Sequence, residues 1–185
     1  CYQENHTPVQ LKYDDLIKIL NQYRELLDKL KTIGHINLTG GEPLCSPYFF
    51  KILDENKKDS NKYSFSILTN GTLITEEYAK RIKSYNPEYV QVSLEGGKRM
   101  NDYIRGKGVY KKVAQAIKTL KKHDIYVSLS FTATKLNYKE FPKVVKFAEK
   151  YGVDTIWSDR FIPLSKDNDN DFMMNLKETK EYLKE

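Results

Sequence analysis

The chain has 185 residues, of which 30% are charged and 39% are hydrophobic, and its formal net charge is +6. This length allows one domain with a buried core, and no apolar run approaches the roughly 20 residues of a membrane-spanning helix. The first residues also lack the basic and apolar regions of a signal peptide, and two cysteines give no disulfide framework. We therefore expect a cytoplasmic protein without a membrane partner.

The surplus positive charge is spread over lysines on predicted helix faces, as in Lys111-Lys112 and Lys121-Lys122. Scattered lysines are typical of a solvated helix surface, whereas nucleic-acid binding needs a basic stripe interleaved with aromatic side chains. The 14 tyrosines are dispersed over predicted helices and strands instead. We expect no nucleic-acid partner, and a non-catalytic basic α/β binding module stays open only as an alternative.

Taken in chain order, hydrophobic periodicity predicts helices that alternate with strands. The predicted helices cover 11–31, 47–56, 75–85, 109–123, 141–151 and 172–185. The predicted strands cover 35–39, 63–69, 89–94, 125–132 and 155–162. Such alternation implies a parallel sheet with right-handed crossovers. Because a helix comes first, we expect a missing strand before Cys1, so that residues 1–185 form one incomplete α/β domain, a partial (β/α)6 TIM-like barrel.

Polar, glycine-rich sequences follow the predicted strands, at the end where parallel α/β folds carry their chemistry. These sequences are 39–43, 69–71, 93–97, 132–134 and 160–163. Each of these residues also has an ordinary structural explanation. Asn70 can lie in the turn that begins a helix, Ser93 can cap a helix, and the Glu95 side chain can face water. Turn chemistry alone does not explain several such ends in succession. They predict a polar ligand cradle, in which paired glycines let a ligand approach the backbone and Glu42 suits a cationic group such as an amine.

Five segments then occur in a specific order and spacing. They are Cys1-Tyr2, Thr39-Gly40-Gly41-Glu42-Pro43, Thr69-Asn70-Gly71, Val92-Ser93-Leu94-Glu95-Gly96 and Asn101-Asp102-Tyr103-Ile104-Arg105-Gly106. Together they resemble the radical S-adenosylmethionine (radical SAM) enzymes, in the SPASM-type branch that modifies peptides and proteins and includes the sulfatase-maturating enzymes. The resemblance extends to about Ser165.

This resemblance implies a partial barrel that holds a [4Fe-4S] cluster with S-adenosylmethionine bound at its unique iron. One-electron reduction would cleave the cofactor to methionine and a 5′-deoxyadenosyl radical, which abstracts a hydrogen atom from the substrate. The implied partners are a peptide or protein substrate and an external electron donor of the flavodoxin or ferredoxin type. A radical SAM enzyme of cofactor biosynthesis, similar to the molybdenum-cofactor cyclases, uses the same core and stays an alternative.

For the cluster, the resemblance assigns a single residue of this chain. Cys1 matches the last cysteine of the family's C-x3-C-x2-C motif, and the other two would lie before residue 1. Since such clusters need thiolate ligands, we expect no complete cluster and no activity in these 185 residues alone. Tyr2 would shield the cluster or touch the cofactor. Cys45 is interpreted as a small packed residue.

The same resemblance assigns the cofactor contacts. Gly40, Gly41 and Glu42 would meet the methionine amino group. Ser93 would bond near the ribose and carboxylate, and Arg105 would pair with the carboxylate, although without the family it reads as a surface loop cation.

Adenine would pack against the segment that follows the last strand, namely Phe161, Ile162, Pro163 and Leu164. Further candidates at the strand ends are Asn70, Glu95 and Thr132. The histidines have no metal-ligand spacing and are interpreted as structural or exposed; they are His6, His35 and His123.

Overall fold

The fold is known from a computed structural model, which describes residues 11–163 and 172–184. Five strands form one sheet: β1 (Gly34–Leu38), β2 (Tyr63–Thr69), β3 (Val90–Ser93), β4 (Val127–Ala133) and β5 (Thr155–Arg160). All neighbours are parallel, and their order in the sheet follows the order in the chain. The sheet curls into a half-barrel, which confirms the predicted partial TIM-like barrel. The strand expected before Cys1 lies outside the described residues and stays a prediction.

Seven helices accompany the strands in the described part of the chain. They are α1 (Tyr13–Leu30), α2 (Phe49–Lys58), α3 (Glu76–Lys83), α4 (Lys98–Arg105), α5 (Val109–Lys122), α6 (Phe141–Tyr151) and α7 (Leu176–Tyr182). Local sequence sets several of their ends: the Thr75 hydroxyl accepts from the Tyr78 amide at 3.2 Å, and Gly152 ends α6 with φ +65°. Short 3-10 turns at Pro43–Cys45 and Tyr138–Glu140 precede α2 and α6. Helix α2 begins at Phe49 and ends at Lys58, slightly later in the chain than the predicted range 47–56.

Helix α4 was missed by the sequence analysis, which predicted no helix between Gly97 and Gly106. Its large apolar residues do not form a buried stripe, since Met100 is only half-buried, Tyr103 is 76% exposed and Ile104 is 40% exposed. Gly97 at its N-cap provides no side-chain cap. Without apolar burial or a cap, the usual sequence signals of a helix are absent.

One face of the sheet packs against the helices. Val90, Val92 and Leu129 are fully buried and share one core cluster with Leu53 of α2 and Ile117 of α5. Burial of this apolar face is the main favourable contribution to folding.

We call the opposite face of the sheet the inner face. The strand registers place on it His35 beside Ser64, Asn37 beside Ser66, Leu68 beside Gln91, Ser93 beside Ser130, and Thr132 beside Asp159. Parallel sheets are usually apolar on both faces, so a polar face indicates a surface kept for binding.

Within the described ranges, no helix is both long enough and apolar enough to cross a lipid bilayer.

Candidate active site

The glycine turn after β1 presents open backbone at the rim of the sheet. Gly40 has φ +141°, a conformation that favours glycine. A Cβ atom built on Gly40 or on Gly41 would meet no atom of residues 11–163 or 172–184 within 4 Å. These glycines therefore do not pack against the described part of the chain, and they leave room there for a ligand at the backbone.

Glu42 connects this turn to the end of the neighbouring strand. Its carboxylate accepts hydrogen bonds from the Thr69 hydroxyl at 2.6 Å and from the Asn70 amide at 2.7 Å. It also accepts from the Leu44 amide at 3.2 Å. These three bonds hold the carboxylate at the rim in one orientation, as a binding group requires.

Asn70-Gly71, at the end of β2, forms a tight turn. The Asn70 side-chain oxygen accepts from the Thr72 amide at 2.8 Å and from the Thr72 hydroxyl at 2.7 Å. Gly71 has φ +74°, and a Cβ atom there would lie 2.8 Å from Val92 Cγ1. The side-chain oxygen of Asn70 is thus used in the turn.

Glu95, just after β3, is the most strongly buried carboxylate of the rim, at 4% exposure. One oxygen accepts from Arg105 Nε at 3.1 Å and Nη2 at 2.5 Å, and the other accepts from the Thr132 amide at 3.1 Å. The interpretation of Glu95 as a water-facing residue is therefore wrong. The interpretation of Arg105 as a surface loop cation is also wrong, because it ends α4 and pairs with a buried acid.

Two further contacts hold α4 against the rim. The Asn101 side-chain oxygen accepts from the Glu95 amide at 3.0 Å, and Asp102 accepts from the Tyr110 amide at 2.8 Å. This backbone hydrogen bond from Tyr110 is the main reason why the pKa of Asp102 lies below its ordinary value. The helix that carries Arg105 is therefore fixed to the loop after β3 and to the start of α5.

Glu140, at the start of α6, closes the same loop from the other side. It accepts from the Gly97 amide at 3.0 Å and from Lys143 at 2.6 Å. Burial raises the pKa of Glu140, but the bonds from Lys143 and from the Gly97 amide outweigh it, so the pKa lies below its ordinary value. The carboxylate is thus held in the charged form that these donors need.

The predicted site residues fall into two groups on this rim. Glu42 and Asn70 lie together after β1 and β2, while Glu95, Arg105 and Thr132 lie together after β3 and in β4. Ser93 is half-buried on the inner face between them, since β3 lies between β2 and β4. The single cavity expected around Gly41, Ser93 and Arg105 stays a prediction.

The segment after β5 is described only in part. Phe161 packs on Phe172 with ring centroids 5.9 Å apart, Ile162 is exposed, and Pro163 is half-buried. Leu164 lies outside the described residues, as do Cys1 and Tyr2, so their roles stay predictions.

The interpretation of Cys45 as a packed residue is wrong, because its side chain is exposed as a free thiol after the 3-10 turn. In the described ranges no three His, Cys, Asp or Glu side chains come together as metal ligands. His35 instead contacts Ser64 Oγ at 2.8 Å, and His123 contacts Glu76 at 3.0 Å. Both histidines thus have protein partners, as expected, and His6 lies outside the described residues.

The family model of the radical SAM superfamily matches residues 1–177. The chain belongs to this superfamily. The cofactors of this superfamily are S-adenosylmethionine and a [4Fe-4S] cluster.

Curated relatives agree with this assignment. The chain is 28% identical over 152 residues to pre-heme d1 synthase of Dinoroseobacter shibae, covering 80% of this chain and 37% of that protein. It is 30% identical over 135 residues to the mycofactocin maturase MftC of Mycobacterium tuberculosis, covering 71% of this chain and 34% of that protein. The chain thus spans little more than a third of the length of these relatives.

Solved structures share the fold. The native anSMEcpe structure with bound AdoMet has a TM-score of 0.81 at 21% identity, covering 100% of this chain and 53% of that one. Streptococcus suis SuiB bound to its precursor peptide SuiA has a TM-score of 0.71 at 18% identity, covering 100% of this chain and 41% of that one.

Sequence reasoning missed the large inner-face residue Trp157, which no motif contains. It lies beside Ser130 in the register of β4 and β5. The sequence signal that could have found it is period-2 alternation in β5, where Ile156 packs against the core and Trp157 must point the other way.

Proposed function

We propose that the chain is the core of an enzyme that cleaves S-adenosylmethionine reductively to a 5′-deoxyadenosyl radical and uses it to modify a peptide or protein. The observation that carries this proposal is the rim itself. An open glycine turn, a fixed carboxylate and an anchored guanidinium lie on the same rim, after β1 and after β3. An amino acid-like ligand requires this combination, since it presents an ammonium and a carboxylate together.

The described residues suit the methionyl end of the cofactor. Glu42 would accept from the ammonium group, next to backbone that no side chain of the described residues covers. Arg105 uses Nε and Nη2 for Glu95, and its Nη1 has no hydrogen-bond partner among the described residues. That nitrogen would donate to the cofactor carboxylate. Ser93, between the two, would orient the ribose.

For the cluster, Cys1 is the one ligand that we propose from this chain. The other thiolates of the family's motif would come from outside these 185 residues. An external one-electron donor of the flavodoxin or ferredoxin type completes the proposal. The role of the described residues is to bind and orient the cofactor and to present the inner face to the substrate.

Two groups of relatives support a peptide or protein substrate. MftC is named a maturase, and solved structures with the same fold contain peptides, Cp18Cys with anSMEcpe and SuiA with SuiB. A second candidate is the modification of a cofactor precursor, because pre-heme d1 synthase and the AdoMet-dependent heme synthase of Methanosarcina barkeri also match over most of this chain.

The test is the formation of 5′-deoxyadenosine. A protein that carries this chain together with a complete C-x3-C-x2-C motif is reconstituted anaerobically with iron and sulfide, reduced with dithionite and supplied with S-adenosylmethionine. We expect 5′-deoxyadenosine by chromatography and mass spectrometry. A stoichiometric cluster without any cofactor cleavage would contradict the proposed function.

A further inference from the structure

The inner face carries one large apolar side chain that the proposed cofactor contacts do not use. Trp157 of β5 is the single tryptophan of the chain and is 62% exposed. Its neighbours along the strand point to the opposite face, where Ile156 packs on the core and the Ser158 hydroxyl donates to the Phe131 carbonyl at 3.4 Å. More than half of the surface of Trp157 is therefore open to contact with another molecule.

Trp157 also lies in the same row across the strands as Ser93, a proposed cofactor contact. It is next to Ser130 in register, and Ser130 is next to Ser93. Two strand spacings separate Trp157 from Ser93, or roughly 10 Å. A substrate side chain that stacks on the indole would therefore lie close enough to the proposed ribose position for a single substrate residue to span the distance.

The inner face of the sheet is acidic, whereas the chain as a whole has a net positive charge. The sequence contains 31 Lys and Arg residues, yet none occupies an inner-face position of the five strands. Asp159 follows Trp157 by two residues, so it lies on the same face, and it is exposed. Its Oδ1 accepts only from the Arg160 amide at 2.7 Å, and it makes no ion pair within the described ranges.

We infer that Trp157 and Asp159 form a subsite for a basic side chain, lysine or arginine, of the substrate peptide. This inference rests on the proposed function and names the class of residue that the substrate presents beside the modified position. An indole face attracts a cation through its quadrupole, and the neighbouring carboxylate adds an ion pair. In a chain of net charge +6, this acidic and aromatic patch is where a basic segment is attracted rather than repelled.

The test uses the single indole N–H signal of the 15N-labelled chain. Three capped probe peptides are titrated: Gly-Gly-Lys-Gly-Gly, its norleucine analogue and its glutamate analogue. We expect the lysine peptide to shift the Trp157 signal saturably and to bind about three- to tenfold more tightly than the norleucine peptide. Asp159→Asn should remove most of this preference. Glu149→Gln, which removes a charge from the exposed outer side of α6, should leave it unchanged.

Equal shifts with lysine and norleucine, a preference for glutamate, or a lysine preference that survives Asp159→Asn would each overturn the inference. Both substituted carboxylates are exposed, so folding is not at risk. Cofactor cleavage without a lysine preference overturns the subsite alone, whereas a stoichiometric cluster without cofactor cleavage overturns the proposed function.

Discussion

Glu95 illustrates how one buried carboxylate organises the rim. It is 4% exposed and holds the Arg105 guanidinium and the Thr132 amide, and so joins α4 to β4. The Asn101 side chain holds the backbone amide of the same residue. Glu95 thus positions Arg105, and its own predicted contact with the cofactor stays a prediction. Its loss should therefore be visible in stability before any ligand is added.

Glu95→Ala should lower the free energy of unfolding by about 2–3 kcal/mol, because Arg105 and the Thr132 amide lose a charged partner away from water. Urea denaturation followed by circular dichroism measures this. Glu149→Ala is the control, since an exposed helix residue should change stability by less than about 0.5 kcal/mol. Equal stability of the Glu95 variant and the wild type would contradict the buried ion pair.

Arg105→Ala and Ser93→Ala should each weaken the binding of S-adenosylmethionine without unfolding the half-barrel. Loss of a charge-assisted hydrogen bond costs about 1.5–3 kcal/mol, so Arg105→Ala should weaken binding about tenfold or more. Calorimetric titration of the cluster-loaded protein is the measurement. Lys107→Ala, which removes an exposed cation two residues away, should leave the affinity unchanged. If Arg105→Ala binds the cofactor as tightly as wild type, Arg105 only stabilises the fold.

At the scale of elements, the sequence predicts those that bury a regular apolar face. Strand β2 and helix α6 match their predicted bounds, because alternating and helical apolar spacing are both strong there. Helix α4 was not predicted because none of its apolar residues is fully buried. The partners of Glu95 could not be predicted, since they depend on strand register and on the curl of the sheet. The rim itself was predictable because parallel strands bring their carboxyl ends together.

At Gly71, the neighbouring strand β3 leaves little room for a side chain. Gly71→Ala should destabilise the fold more than Gly152→Ala, although both glycines have positive φ. Both variants strain the backbone, by about 1–2 kcal/mol. Only the Gly71 methyl would also meet Val92 at 2.8 Å, which should add about 1–3 kcal/mol. Thermal and urea unfolding of the pair compare the two costs, and equal destabilisation would contradict the close approach of β2 to β3.

At the scale of the whole molecule, the open sheet has two edges. In the described part of the chain β1 pairs only with β2, and β5 pairs only with β4. Unpaired strand edges invite association with another chain. Ile33, directly before β1, is 75% exposed and adds an apolar group at that edge.

The 185-residue chain should therefore self-associate as its concentration rises. Ile33→Lys, which places a charge beside the edge strand, should reduce the association. Sedimentation velocity over a range of concentrations is the measurement, with Leu73→Lys as the control because this exposed residue lies away from β1. A wild-type chain that stays monomeric throughout would show that the β1 edge is not exposed to partners.

In the proposed function, this half-barrel presents S-adenosylmethionine to a cluster that Cys1 ligates. The most direct measurement is the yield of 5′-deoxyadenosine from the anaerobically reconstituted protein with the complete cysteine motif, compared with its Cys1→Ala and Cys45→Ala variants. We predict product from the wild type and from Cys45→Ala, whose thiol is exposed after a turn, and none from Cys1→Ala, which loses a cluster ligand. Undiminished 5′-deoxyadenosine from Cys1→Ala would contradict the account.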